Sequence, residues 1–411
     1  MGVTGTIRPI GEDDVEEWTA TMLAAFHAVP VEGEAAARRA RWDLERTLAA
    51  VDGGRIVGTL RSFRTEVTLP GGAQEPASGI TNAAVLPTHR RQGNLSALMH
   101  EDLSRSIGRG ERLAVLGTAE YPIYPRYGFG PATELMDIEL DATVDFVARP
   151  ETGTVDLVSP SDLRKIGLEV YERVRAVRPG TIIRPEMRWD VELGIVVPPG
   201  EDVVPKHAMA ALYRDAAGVA QGFARFHSDQ AWGPDHRPAS VMTIDEMLVV
   251  TPDASAALWR FVCSIDLVRR VKAGDRPVDE LLPWLVSDAR AVQRGGLGDG
   301  MWVRVLDVPA VLEARRYPTE GSLVIEVVDP LDHAAGRFRL DAGPEGAVCE
   351  RTDRPADITL PVGTLGSVVL GAHRWPVLAA AGAMREHAPG AVERGDRLFD
   401  WPIAPWCPIE F

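Results

Sequence analysis

The stretch Ile80–Leu103, ITNAAVLPTHRRQGNLSALMHEDL, decides the fold. It opens apolar, with Ile80, Ala83, Ala84 and Val85, and turns at Pro87. Arg90-Arg91-Gln92-Gly93 follows, and Leu95, Leu98, Met99 and Leu103 then recur at helical spacing. The pattern predicts a strand, a tight basic loop and a helix. Amides at the start of a helix have no partner inside it and carry the positive end of its dipole. A loop ending in glycine lets an anion approach the backbone closely, so a pyrophosphate fits there. Arg90 and Arg91 add charge without blocking the amides. The plainer reading of the same residues is a solvated basic loop before a surface helix.

Working outward towards the N-terminus, Thr6-Ile7-Arg8 reads as a short first strand. Glu12-Asp13-Asp14 opens a helix with Val15, Trp18, Met22, Leu23 and Phe26 beneath. A second helix is expected over residues 34–44. Strands at Thr47–Val51 and Ile56–Phe63 flank Asp52-Gly53-Gly54, a hairpin signal. A further strand runs to Leu69, and Pro70-Gly71-Gly72 turns the chain into Ile80–Val85. Beyond the basic loop and its helix, Arg112–Leu116 is another apolar strand. The order is β-α-α-β-β-β-α-β, with the basic loop at a strand end, where mixed α/β sheets bind ligands.

Next comes AEYPIYPRYGFGPAT, Ala119–Thr133, with Tyr121, Tyr124 and Tyr127 punctuated by proline and glycine. A tyrosine has an unperturbed pKa of about 10 and stays protonated at neutral pH, so it can give a proton to a departing thiolate. Each of the three can equally be a half-buried packing residue.

Composition bounds the function. The chain has 411 residues, 45% hydrophobic and 25% charged, an ordinary composition for two or three folded domains. No apolar run is long enough to cross a membrane, and the N-terminus lacks the apolar core of a signal peptide. A net charge of −15 excludes nucleic acid as the expected partner and favours a cationic amine. The three cysteines, Cys263, Cys349 and Cys407, lie far apart, which argues against a disulfide framework and a zinc site and for a reducing cytoplasm. No metal is expected.

The middle of the chain repeats the first part. Pro150–Thr154 reads as a linker, and Ser159-Pro160-Ser161-Asp162 caps a helix. Gly222-Phe223-Ala224-Arg225 mirrors Gly58-Thr59-Leu60-Arg61, and Met242–Val250 with the helix through Leu258, Trp259 and Val262 mirrors the central unit. Asp253-Ala254-Ser255-Ala256-Ala257 replaces the arginine–glycine loop, so this copy keeps the fold without the anion site. The last part alternates short strands and helices. It ends in WPIAPWCPIEF, Trp401–Phe411, an apolar tail without lysine or arginine that should dock, either on its own domain or further away.

The order V-x-x-x-x-R-R-x-G on Val85–Gly93 resembles the acetyl-CoA loop of the GCN5-related N-acetyltransferases (GNATs). Ile123–Thr133, IYPRYGFGPAT, together with Pro87-Thr88-His89-Arg90-Arg91, resembles the enhanced-intracellular-survival (Eis) acetyltransferases. The resemblance implies an α/β (α+β) chain of tandem acetyltransferase folds, the second degenerate, followed by a sterol-carrier-like α+β domain. The segments are residues 1–148, 149–297 and 298–411. It implies acetyl-CoA as cosubstrate, in contact with Ala83, Ala84, Val85, Arg91, Gln92, Gly93, Asn94, Leu95, Ser96, Ala119 and Glu120, beside Arg90. By the same resemblance Tyr124 is the general acid and the Phe411 carboxylate the general base. Glu410, next to that terminus, and Phe26 are the candidates for holding the acceptor. The implied acceptor is a primary amine, an aminoglycoside-like polyamine or a lysine-type amine, and the implied assembly is a hexamer. Pro125 stands where the family usually has glycine, and Tyr121-Pro122 where a glycine pair is common, which stiffens this loop. A non-catalytic acyl-CoA or lipid-binding module is the competing expectation.

Overall fold

The computed structural model describes residues 5–147, 153–200 and 208–411. The expected linker at Pro150–Thr154 falls mostly outside them, and Thr154 itself opens a strand, Thr154–Val158. The order expected of the first part is present: Thr6–Pro9, helices Val15–Ala25 and Glu34–Arg39, strands Thr47–Asp52, Arg55–Thr68 and Gln74–Val85, helix Asn94–Gly108 and strand Leu113–Leu116; the strands expected at Ile56–Phe63 and on to Leu69 are one, Arg55–Thr68. The helix from Glu34 is shorter than expected. The chain leaves it so that Trp42 packs edge-on against buried Trp18, with ring centroids 4.9 Å apart. Phe26, expected beneath the first helix, is exposed at its end.

Helix Asn94–Gly108 forms because its apolar residues share a face: Leu98, Met99 and Leu103 are fully buried against the sheet. On the sheet, Gln74–Val85 pairs antiparallel with Arg55–Thr68 and parallel with Leu113–Leu116, from Ala77↔Leu113 to Ile80↔Leu116. Past Ile80 the parallel partner ends at Leu116, while Thr81–Val85 continues beside Gly58 and Thr59. A cleft therefore opens in the sheet between Thr81–Val85 and Gly117.

The described strands form three sheets, of seven, seven and five strands. The first two exchange strands. Glu134–Asp141 follows the first sheet in sequence but lies in the second, between Val268–Pro277 and Val292–Asp299. Trp302–Val305 follows the second sheet but lies in the first, antiparallel to Leu113–Leu116. Burial explains both placements. Met136, Ile138 and Leu140 fill the core of the second sheet, and Trp302 fills that of the first.

The third part, from helix Val308–Ala314 onward, is locked to the first through Trp302–Val305. Arg304, fully buried, pairs with Asp329 at 2.8 Å and donates to the Tyr127 carbonyl. Helix Val362–Val369 lies so close to Gly130 and Val303 that a Cβ on Gly130 would sit 1.9 Å from the Gly363 carbonyl oxygen. The turn that carries the tyrosines is thus backed by the C-terminal part of the chain.

Candidate active site

The basic loop folds as its residues dictate. A short 3₁₀ turn at Pro87–His89 leads to Arg91, in the left-handed region at φ 62°, and Gly93, at φ 85°, which starts the helix. Only a residue without a Cβ takes this second left-handed position at little cost. No side chain caps the helix, so its first amides stay open to an anion. Arg90 donates to the Val85 carbonyl at 3.2 Å, which ties the loop to the strand end. Arg91 is exposed, and Gln92, Leu95 and Ser96 are half-buried. Asn94 is buried and donates to the His89 carbonyl at 3.2 Å. Ala83, Ala84 and Val85 line the strand side of the cleft; Ala119 and Glu120 are exposed on its other side, after Gly117.

The strand side carries a β-bulge. Thr59 faces Ala84 and Arg61 faces Thr81, so Leu60 stands against both Asn82 and Ala83. Asn82 sits at φ 54°; its carbonyl accepts from the Thr59 hydroxyl at 2.9 Å and its side-chain oxygen from Arg61 at 3.2 Å. An extra residue in the ladder leaves backbone groups outside the regular pairing. The bulge, the uncapped helix and the left-handed glycine fit acetyl-CoA, whose pyrophosphate needs amides and whose thioester arm needs a strand edge.

The second copy differs at the corresponding helix, Pro252–Cys263. There the Thr251 hydroxyl accepts from the Ala254 amide at 3.2 Å, so the chain's own side chain occupies the helix end.

The three tyrosines divide by environment. Tyr127 is buried, its hydroxyl 2.9 Å from that of Ser96 on the first turn of the uncapped helix. Tyr121 is exposed and stacks edge-on with Trp302 at 4.6 Å. Tyr124 is half-buried, edge-on to Phe129 at 6.3 Å, against the core that Ala83 also packs on. Burial pushes its hydroxyl pKa upward, and Glu120 and Tyr127 add to the shift. It therefore stays a proton donor at neutral pH.

The tail crosses the molecule instead of folding back on its own domain. The Trp406 amide donates to the Pro179 carbonyl at 2.8 Å, and its indole to the Asp275 carbonyl at 2.8 Å. The Ala404 amide donates to Asp279 at 3.1 Å, and the Thr181 hydroxyl to the Trp406 carbonyl at 3.1 Å. Cys407 is buried, its thiol pushed up to about 12 by desolvation. The chain ends with the Phe411 ring edge-on to Phe63 at 5.3 Å. A Phe411 backbone oxygen lies 3.8 Å from where a Cβ on Gly117 would stand, at the mouth of the cleft. Glu410 is exposed; with Asp137 it raises the pKa of Asp275, whose largest cause is burial. Phe26 lies at the end of the first helix, and the geometry does not tie it to Phe411.

Sequence reasoning missed Trp42, Arg61 and Phe63. They gather on one side of the bulge, with Arg61 5.5 Å from the Trp42 ring and 5.7 Å from the Phe63 ring. The alternation of Arg61 and Phe63 on one strand was the available signal. Among the described residues no group of three or more His, Cys, Asp or Glu could hold a metal. No described helix is long and apolar enough to cross a membrane.

Residues 6–132 and 180–305 each match an acetyltransferase (GNAT) domain family, and residues 308–408 match the sterol carrier protein domain family. An uncharacterized N-acetyltransferase of Streptomyces avermitilis is 41% identical over 98% of both chains. The N-acetyltransferase Eis of Mycobacterium tuberculosis is 34% identical over 87% of both. The crystal structure of Eis1 from Mycobacterium abscessus superposes with a TM-score of 0.86 at 30% identity, covering 99% of this chain and 100% of that one. With two acetyltransferase folds, one open and one capped, and a sterol-carrier-type domain behind them, the chain belongs to the Eis-like GNAT N-acetyltransferases.

Proposed function

We propose that this N-acetyltransferase moves an acetyl group from acetyl-CoA directly to a primary amine, with Tyr124 as general acid and the Phe411 carboxylate as general base. Acetyl-CoA supplies the acetyl group as an activated thioester. The open amides from Gly93 to Ser96, with Arg90, Arg91 and Gln92 beside them, hold its pyrophosphate. Ala83, Ala84 and Val85 hold the arm on the strand side, and Ala119 and Glu120 border the other. Tyr124 gives its proton to the departing thiolate. The terminal carboxylate collects the proton that the amine loses on attack. An α-carboxyl has an unperturbed pKa of about 3.5, which makes it a weak base. A substrate with a neutral fraction needs the base only as attack proceeds.

The observation that carries this reading is the end of the chain: a Phe411 oxygen beside Gly117, where the sheet opens. Glu410, next to that terminus, holds the cationic acceptor. Lysine-type amines and aminoglycosides are the acceptor classes that the family resemblance brings; it also brings a hexameric assembly and residence in the cytoplasm. A panel of both amine classes, read by release of free CoA thiol, tests the reaction. Amine-dependent release with a matching acetylated product supports transfer. Acetyl-CoA bound without release across the panel contradicts it and favours an acyl-CoA-binding module.

A further inference from the structure

Arg61 is a charge without a counter-charge. Its Nε donates to the neutral Asn82 amide at 3.2 Å, and its guanidinium lies over the rings of Trp42 and Phe63. Among the described residues it has no carboxylate within ion-pair distance. Burial, the largest cause, together with the nearby Arg38 and Arg41 charges lowers its pKa to about 10, and Arg38 is itself paired with Glu34 at 2.6 Å. An arginine remains charged at that value. Burying it without a counter-charge costs free energy.

The internal repeat shows what compensation looks like. Gly58↔Val85 and Gly222↔Val249 are equivalent pairs in the two sheets, so Arg61 corresponds to Arg225 and Asn82 to Glu246. In the second copy Arg225 meets Glu246 at 3.0 Å, and Arg184 meets the same carboxylate at 2.6 Å. The arginine is thus satisfied where the helix end is capped. In the copy with the open helix end, an amide replaces the carboxylate and the arginine is left unneutralised. Trp42, Phe63, Arg61 and Asn82 are all half-buried, so the cage is open on one side. Phe63 links the cage to the chain's end: its ring lies 5.3 Å from that of Phe411, whose backbone oxygen stands 3.8 Å from where a Cβ on Gly117 would be.

We propose that Arg61 is an anion-binding residue of the acceptor site, and that the acceptor is a primary amine bearing a carboxylate or phosphate several bonds from the amino group. This rests on the placement of the terminal carboxylate as proton acceptor. The amine then lies at Phe411 and the anion at Arg61, both against the Phe63 ring, at 5.3 Å between ring centroids for Phe411 and 5.7 Å for the guanidinium. That separation exceeds the one within an α-amino acid and suits a flexible ω-amino chain. Trp42 and Phe63 cover the guanidinium faces and leave its edge for a paired hydrogen bond to the anion.

The test uses amines that share one chain: pentylamine, 6-aminohexanoate and 5-aminopentyl phosphate, with an aminoglycoside as polycation. kcat/KM is measured by CoA release for the intact chain, Arg61→Gln and Arg61→Lys. A charge-assisted hydrogen bond predicts that one anionic amine exceeds pentylamine by about 10-fold or more, and the better of the two identifies carboxylate or phosphate. Arg61→Gln should bring that ratio close to unity, and Arg61→Lys should restore part of it. Equal losses for all amines in Arg61→Gln would mean that Arg61 only supports the bulge through Asn82, and would overturn the proposal. So would pentylamine or the aminoglycoside being the best substrate of the intact chain, although acetyl transfer would stand. Release with none of the amines would overturn acetyl transfer itself, and the anion site with it.

Discussion

Tyr124 differs from its neighbours by a small margin of environment, and the proposed role as general acid rests on that margin. Tyr127 spends its hydroxyl on Ser96 and Tyr121 is exposed, while Tyr124 is half-buried beside the cleft with its pKa raised. Tyr124→Phe keeps the ring against Phe129 and removes the proton. Steady-state kinetics should show kcat reduced by about 10²-fold or more with acetyl-CoA affinity retained. The same loss in Tyr121→Phe, with Tyr124→Phe active, would reassign the acid. Asp102 makes a second prediction at this scale. One oxygen accepts from the Ser62 hydroxyl at 2.7 Å, the other has no partner, and burial pushes the carboxyl from 3.8 up to about 6. The folded state therefore holds this proton more tightly than the unfolded chain. Its contribution is most favourable below the unfolded pKa and is lost as pH rises through the folded one. Between about pH 4 and pH 6 that amounts to about 2–3 kcal/mol. Relative to Asp102→Asn, the intact chain should lose thermal stability across this window. Parallel pH profiles of the two chains would contradict the shift.

At the scale of elements, the two helix starts set the two folds apart, and the proposed function places acetyl-CoA on the uncapped one alone. Asn94–Gly108 begins at a left-handed glycine without a side-chain cap, and Pro252–Cys263 begins with Thr251 bonded to its own backbone. Equilibrium dialysis should saturate at one acetyl-CoA per chain. Gly93→Asp, which puts a carboxylate and a strained backbone at the open end, should abolish measurable binding in a folded chain. Two equivalent sites, or unchanged affinity in Gly93→Asp, would show that the helix start is not the determinant. These elements were legible because local patterns encode them: helical spacing at Leu98, Met99 and Leu103, turn residues at Asp52-Gly53-Gly54, and Ser159 capping its helix. The strand exchange was not legible. Glu134–Asp141 alternates buried and outward residues whichever sheet receives it, and nothing local tells Met136, Ile138 and Leu140 which core they enter. Arg61 was hidden for a related reason. Its meaning comes from what faces it across the ladder, Asn82 here and Glu246 in the repeat, and a single strand does not contain its partner.

The whole molecule is arranged so that its two ends of chemistry come from distant parts of the chain. The turn holding Tyr124 is backed by Arg304, Gly363 and Gly366, and the tail reaches the cleft only after bonding to Pro179, Thr181, Asp275 and Asp279. The middle domain, whose own helix end is capped by Thr251, holds the terminus along its path. The apolar tail was visible in the sequence; its path was not, because its hydrogen-bond partners, the Pro179 and Asp275 carbonyls, the Thr181 hydroxyl and the Asp279 carboxylate, all lie in another domain. The central claim is that the Phe411 carboxylate takes the amine proton. Adding one glycine after Phe411 moves that carboxylate outward and leaves the phenyl ring against Phe63. With the best amine of the panel and saturating acetyl-CoA, kcat of the extended chain should fall by about 10²-fold or more, with the fold and acetyl-CoA affinity unchanged. Full turnover by the glycine-extended chain would contradict the assignment.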